Sequence, residues 1–126
     1  WLYVEDHVDA LYNILQNGKI GATYNIGGNN EITNIEVVNL ICKILEELTK
    51  NTNQEYKSLI THVQDRPGHD KRYAINSNKI KNDLGWAPKE NFASGLKKTV
   101  KWYLSNQTWV DNVSDGSYRK KNGEIN

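Results

Sequence analysis

The stretch Asp65-Arg66-Pro67-Gly68-His69-Asp70 sets a guanidinium, an imidazole and two carboxylates around a Pro-Gly pair. Pro67 fixes φ at the second position of a turn, and Gly68 supplies the positive φ that a type II turn demands at its third. Such a turn brings Arg66 and His69 within about 7 Å at Cα, so both side chains can converge on one ligand. Arginine offers a planar fork of donors that matches a pair of phosphate oxygens and stays charged. Histidine adds one more hydrogen bond and titrates near neutrality. The chemistry expected here is capture of a diphosphate. The competing expectation is a solvated turn in which Asp65 and Asp70 merely pair with Arg66 and Lys71, an arrangement that contributes little.

Asn34 is the second candidate. It lies just inside an expected helix start, where free backbone N–H groups attract anions, and its amide can read a base edge or a phosphate. The plainer reading is an Asn favoured near any helix N-terminus. Asn25-Ile26-Gly27-Gly28-Asn29-Asn30 lacks both the G-x-G-x-x-G spacing and a P-loop Lys, so it reads as a strand running into a turn. No Tyr is followed four residues later by Lys, and no Ser/His/Asp arrangement is in evidence. His7 and His62 have no Cys or carboxylate at ligand spacing, which argues against a metal site.

These side chains need positioning elements. Trp1–Val4 has strand-like composition, and Asp6 is the expected N-cap of a helix with Val8, Leu11, Tyr12 and Leu15 on its core face, ended by Gly18. Thr33 and Glu36 form a T-x-x-E capping box. That box opens a helix expected over 34–49, with Val38, Ile41, Leu45 and Leu48 on its buried stripe. Residues 51–58 read as a polar loop and 59–63 as a strand leading into the Pro-Gly turn. Ser77 is placed to cap a short helix through Leu84 that Gly85 closes, and Asn91 to cap a last helix carrying Phe92, Leu96, Val100 and Tyr103. Beyond Asn106 the periodicity fades into a tail. The fold class expected is α/β, a mixed α+β fragment forming a single unit over residues 1–126.

The chain has 126 residues, and Lys+Arg 16 against Asp+Glu 15 gives a net charge of +1. That balance argues against a nucleic-acid partner, so any anion site must be local. No apolar stretch reaches spanning length and no signal peptide is evident, so no membrane role is expected. Cys42 is the one cysteine, inside an apolar run, and reads as an inert core thiol. A reducing, cytoplasmic setting follows as the simplest expectation. Met is absent from the whole chain, which reads as a piece of something longer.

Five segments in order carry a resemblance: WLYVEDHVDAL, TYNIGGNNEITNIEVV, DRPGHDKRYAI, LGWAPKENFASGLKKTVKWY and WVDNV. Together they resemble the C-terminal part of the dTDP-glucose 4,6-dehydratases, extended short-chain dehydrogenase/reductases. The resemblance implies a nucleotide-sugar-binding lobe joined to the last elements of a Rossmann-type sheet. It implies dTDP-glucose or a related nucleotide-sugar as ligand, with Asp65, Arg66, Pro67, Gly68 and His69 forming the dTDP-binding turn and Asn34 contacting substrate. The family reaction moves a hydride from sugar C4 to NAD, eliminates water across C5 and C6, and returns the hydride at C6, a step in deoxysugar (rhamnose-type) biosynthesis. The glycine fingerprint, the Tyr-x-x-x-Lys pair and the acidic dehydration residues are missing from this sequence. NAD binding and catalysis are therefore expected in the full-length parent, a homodimer, and not in this chain alone. A remnant of another member, an epimerase or decarboxylase, that binds nucleotide-sugar or self-associates is the alternative.

Overall fold

Helix formation begins immediately after Tyr3, which is extended at φ −70°, ψ 140°. The computed structural model describes residues 1–49 and 55–116. Five α-helices run in the order α1 (Val4–Asn17), α2 (Asn34–Thr49), α3 (Asn78–Leu84), α4 (Phe92–Ser105) and α5 (Gln107–Ser114), with a 3₁₀ turn at Tyr56–Leu59 between α2 and α3. Half of the polar loop expected over 51–58, residues 51–54, lies outside the described residues, and its last residues enter the 3₁₀ turn. Among the described residues no helix is long and apolar enough to cross a membrane.

Two small cores result. Ala10 of α1, Ile80 of α3 and Trp86 form the first, with Leu2, Ile14, Tyr24, Ile26 and Leu84 packed around them. The side chain of Asn13 donates to the carbonyl of Leu84 at 3.2 Å, fastening α1 to the end of α3. Gly85 then closes α3 in the left-handed region at φ 66°. In the second, α2 packs on α4 and on the 3₁₀ turn, with Val37, Cys42, Ile44 and Val100 buried. Lys97 bonds Glu47 across that pair of helices at 2.9 Å.

The two cores meet through one carboxylate. Asp6, only 4% exposed, accepts from the backbone N–H of Lys89 at 3.1 Å and of Glu90 at 3.0 Å. Burying a charge is tolerable only when it is hydrogen-bonded, and two donors to one carboxylate meet that condition. Next to it, Gly95 of α4 presses against Tyr3 so closely that an added Cβ would lie 2.9 Å from the Tyr3 Cβ.

Several sequence expectations hold. α2 spans the expected residues, Thr33 and Glu36 form the capping box, Asn91 Oδ1 caps α4 by accepting from Ser94 N at 2.9 Å, and Cys42 is buried. Others are corrected. The described residues contain helices and no strand, in place of the mixed α/β arrangement expected. A strand exists only through a neighbouring strand's N–H and C=O groups, and the candidate segments lack that ladder. Trp1 lies beside residues 30–32 through three bonds and no ladder: its amino group donates to the Asn30 carbonyl at 3.3 Å, its indole Nε1 to the Ile32 carbonyl at 3.0 Å, and its own carbonyl accepts from Asn30 Nδ2 at 3.5 Å.

Asp6 is not the N-cap of α1 but a residue of its first turn. The stripe assigned to the core of α1 faces outward: Val8, Leu11, Tyr12 and Leu15 are all exposed, while Asp6 and Ala10 are buried. On α2 the most buried residues are Val37, Cys42 and Ile44; Ile41, Leu45 and Leu48 of the expected stripe are half-buried beside them, and Val38 is exposed. Ser77 stands at the N-cap of α3 without capping it; its hydroxyl donates to Asn29 Oδ1 at 3.4 Å instead. Past Asn106 the chain forms α5, where Trp109 packs edge-on against Trp102 and against Tyr103, and all three rings are half-exposed.

Asp6→Ala removes a charged acceptor and leaves two N–H groups without their partner, so a loss of about 2–4 kcal/mol is expected. Urea denaturation followed by circular dichroism measures it, and a loss under about 0.5 kcal/mol would show that the carboxylate does not join the cores.

Candidate functional site

The Pro-Gly turn closes as its residues require. The backbone N–H of His69 donates to the Arg66 carbonyl at 3.2 Å, and Gly68 holds φ 70°, which a side chain would disfavour. Asp65 then locks the turn from its first residue. Its Oδ1 accepts from the backbone N–H of Arg66 at 2.8 Å and bonds His69 Nδ1 at 2.9 Å. The hydrogen bond to His69, and after it the one from the Arg66 backbone, holds the Asp65 carboxyl below the usual aspartate value of 3.8.

The competing picture of a plain charged turn is therefore altered in its partners. Asp65 pairs with the imidazole, not with the Arg66 guanidinium, and among the described residues the guanidinium has no ion-pair partner. An exposed arginine on a turn closed by its neighbours is a donor set open to a ligand.

Asn34 is the first residue of α2 and is exposed. The helix terminus around it is already served: Glu36 Oε2 accepts from the Thr33 backbone N–H at 2.9 Å and from the Thr33 hydroxyl at 2.6 Å. These two bonds, the hydroxyl first, hold the Glu36 carboxyl below its ordinary range. A carboxylate so placed weakens the pull of the helix N-terminus on a second anion, so any contact from Asn34 would come through its amide.

A cavity of about 140 Å³ lies between the segments that carry the two candidates. Trp1, Gly27, Gly28, Asn30, Tyr73 and Ile75 are among its lining, whereas neither Asn34 nor any residue of 65–69 is. The segments are nevertheless joined at its edge, where Arg72 Nε donates to Glu31 Oε2 at 2.6 Å. Glu31 stands three residues before Asn34 and Arg72 three after His69, so this pair links the two motifs across the cavity. The two residues stand 41 positions apart, so no local pattern in the sequence signalled the pair. Gly27 and Gly28 serve close packing: a Cβ on the first would collide with the Ile75 side chain, and one on the second with the Trp1 carbonyl. Both glycines are thus accounted for by packing, and the run lacks the G-x-G-x-x-G spacing of a dinucleotide cradle. Among the described residues no group of three or more His, Cys, Asp or Glu could hold a metal ion.

The profile of the family described as GDP-mannose 4,6 dehydratase matches residues 1–99. The chain belongs to the GDP-mannose 4,6 dehydratase family. Within this dehydratase family the chain is 59% identical over 122 residues to the dTDP-glucose 4,6-dehydratase of Neisseria meningitidis, covering 94% of this chain and 34% of that protein. It is 56% identical over 119 residues to the enzyme of the same name from Shigella flexneri, covering 94% and 33%. Among solved structures it is similar to the dTDP-glucose 4,6-dehydratase of Bacillus anthracis in complex with NAD, with a TM-score of 0.71 and 47% identity over 86% of this chain and 32% of that one. A second, from Streptomyces venezuelae with NAD and TYD bound, superposes with a TM-score of 0.75 at 36% identity, covering 86% and 31%. The resemblance carried by the five segments is borne out. The chain spans about a third of the length of the dehydratases it matches.

Because its folded-state value is depressed, Asp65 contributes to the turn at pH above about 3.8, and that contribution is lost as pH falls through the lowered value. NMR titration of the Asp65 carboxyl is expected to give a midpoint below 3.8, and His69→Ala to move it upward. An unmoved midpoint in that variant would show that the imidazole does not hold the carboxylate.

Proposed function

We propose that the chain is the substrate-binding portion of a dTDP-glucose 4,6-dehydratase, which converts dTDP-glucose to dTDP-4-keto-6-deoxyglucose in deoxysugar biosynthesis. The observation that carries this reading is the match over 94% of the chain to relatives of that one name, in a segment holding the closed turn at 65–69. Arg66 and His69 grip the diphosphate, Pro67 and Gly68 shape the bend, Asp65 closes it, and Asn34 contacts substrate through its amide. A guanidinium without a protein partner and an imidazole on a closed turn suit an anion with several oxygens.

NAD, which the family implies, supplies the hydride acceptor and donor when bound to the whole protein. The residues present here do not fit it: the sequence lacks G-x-G-x-x-G, and Gly27 and Gly28 are there because a side chain would collide with Ile75 or Trp1. No step of hydride transfer or elimination is assigned to this chain. The extended segments around Trp1–Tyr3 and Tyr24–Ile26 find their ladder in the Rossmann-type sheet of the whole enzyme, which is cytoplasmic and homodimeric.

The test is direct. dTDP-glucose raises the melting temperature of the chain, NAD does not, and Arg66→Ala weakens nucleotide-sugar binding by about 1.5–3 kcal/mol, the worth of a hydrogen bond to a charged group. Undiminished binding by that variant would remove Arg66 from the site.

The outward apolar face of α1 favours a second reading, self-association of the isolated chain: Val8, Leu11, Tyr12 and Leu15 form one exposed stripe. Light scattering over a hundredfold concentration range is expected to show a mass rising with concentration. A constant monomer mass would exclude it.

A further inference from the structure

The bond between Asp65 and His69 constrains what His69 can offer a ligand. Asp65 Oδ1 lies 2.9 Å from Nδ1 and also takes the Arg66 N–H, so this carboxylate is anchored to the turn and directed at one ring nitrogen. A carboxylate accepts, so Nδ1 carries the proton. Nε2 is then the nitrogen left for a ligand, and in a neutral ring it bears a lone pair that repels phosphate oxygen. Both nitrogens are donors only in the imidazolium. Asp65 is the described titratable group bonded to this ring. Arg66 and Asp70 flank it along the chain, and no described helix supplies it with an ion pair or hydrogen bond.

We infer that Asp65 is a positioning residue that never touches the nucleotide, and that it holds His69 so that diphosphate binding draws a proton onto Nε2, giving an imidazolium bridged between carboxylate and diphosphate. The inference rests on the reading of this turn as a diphosphate site. The proton comes from solvent, adds to the Nε2 lone pair and leaves no other group changed. The carboxylate, which by its charge alone would repel the nucleotide, becomes a net support for binding.

Calorimetry on the full chain tests it, with dTDP-glucose as the probe because its diphosphate is esterified at both ends and has no proton to exchange near neutrality. Titrations are run at several pH values between about 6 and about 9, each in two buffers of very different ionisation heat. The expected result is net proton uptake on binding of the nucleotide-sugar, up to one proton per site. Asp65→Asn is expected to reduce that uptake and weaken binding roughly 2- to 5-fold, in keeping with an exposed ion pair. His69→Gln is expected to bind with no uptake at all. Buffer-independent heats in the unaltered chain, or tighter binding by Asp65→Asn through relief of repulsion, would overturn the inference while leaving the site intact. Failure of dTDP-glucose to bind at all would overturn the diphosphate reading itself.

Discussion

The carboxylate of Asp6 stands in the seam between the two apolar clusters and fixes where the second begins. By accepting from Lys89 and Glu90 it holds the connector that leads into α4, and Asn91 caps that helix one residue later. α4 is thereby set against Tyr3 through Gly95, and Phe92 meets the Trp1 ring at 6.1 Å between centroids. Trp1 in turn lines the cavity and binds the carbonyls of Asn30 and Ile32, just ahead of the capped start of α2. A chain of contacts thus runs from one buried charge to the strip that carries Asn34. Two charged hydrogen bonds outweigh any exposed ion pair here, since pairs such as Lys89 with Asp9 or Lys98 with Glu90 lie at the surface and contribute little.

What could be read from the sequence was whatever closes within about four residues. The capping box, the Asn91 cap, the Gly85 stop and the Pro-Gly turn each contain their own partners, so residue type and spacing suffice. Asp6 failed that test because its partners lie more than eighty residues away, and an acid near a helix start looks like a cap from sequence alone. The α1 stripe failed for a different reason: periodicity finds an apolar face but not what covers it. The strand expectations rested on composition, which says that a segment suits a sheet and nothing about whether a partner strand stands beside it. α5 was missed because Thr108, Asp111 and Asn112 are weak helix formers, and packing of Trp109 on Trp102 and Tyr103 overrides that propensity.

The same division applies to the candidate site. The bend and the identity of its donors were legible, but the choice of partner for Asp65 was not. Sequence neighbours suggested Arg66, whereas the turn places the His69 ring at the carboxylate and leaves the guanidinium outward. Nor did the residues alone reveal that Glu31 and Arg72 brace the two candidate strips against each other. A near-neutral chain can still present a local cationic point, because among the described residues the Arg66 guanidinium has no ion-pair partner while the carboxylate next to it is engaged by His69.

The bend at 65–69 draws its closing bonds from its own five residues and none from either cluster. Its contour is consequently a property of a pentapeptide, while its orientation is dictated by the flanking strips and the Glu31–Arg72 brace. Substitutions in the distant apolar clusters therefore leave the bonds that close this bend untouched.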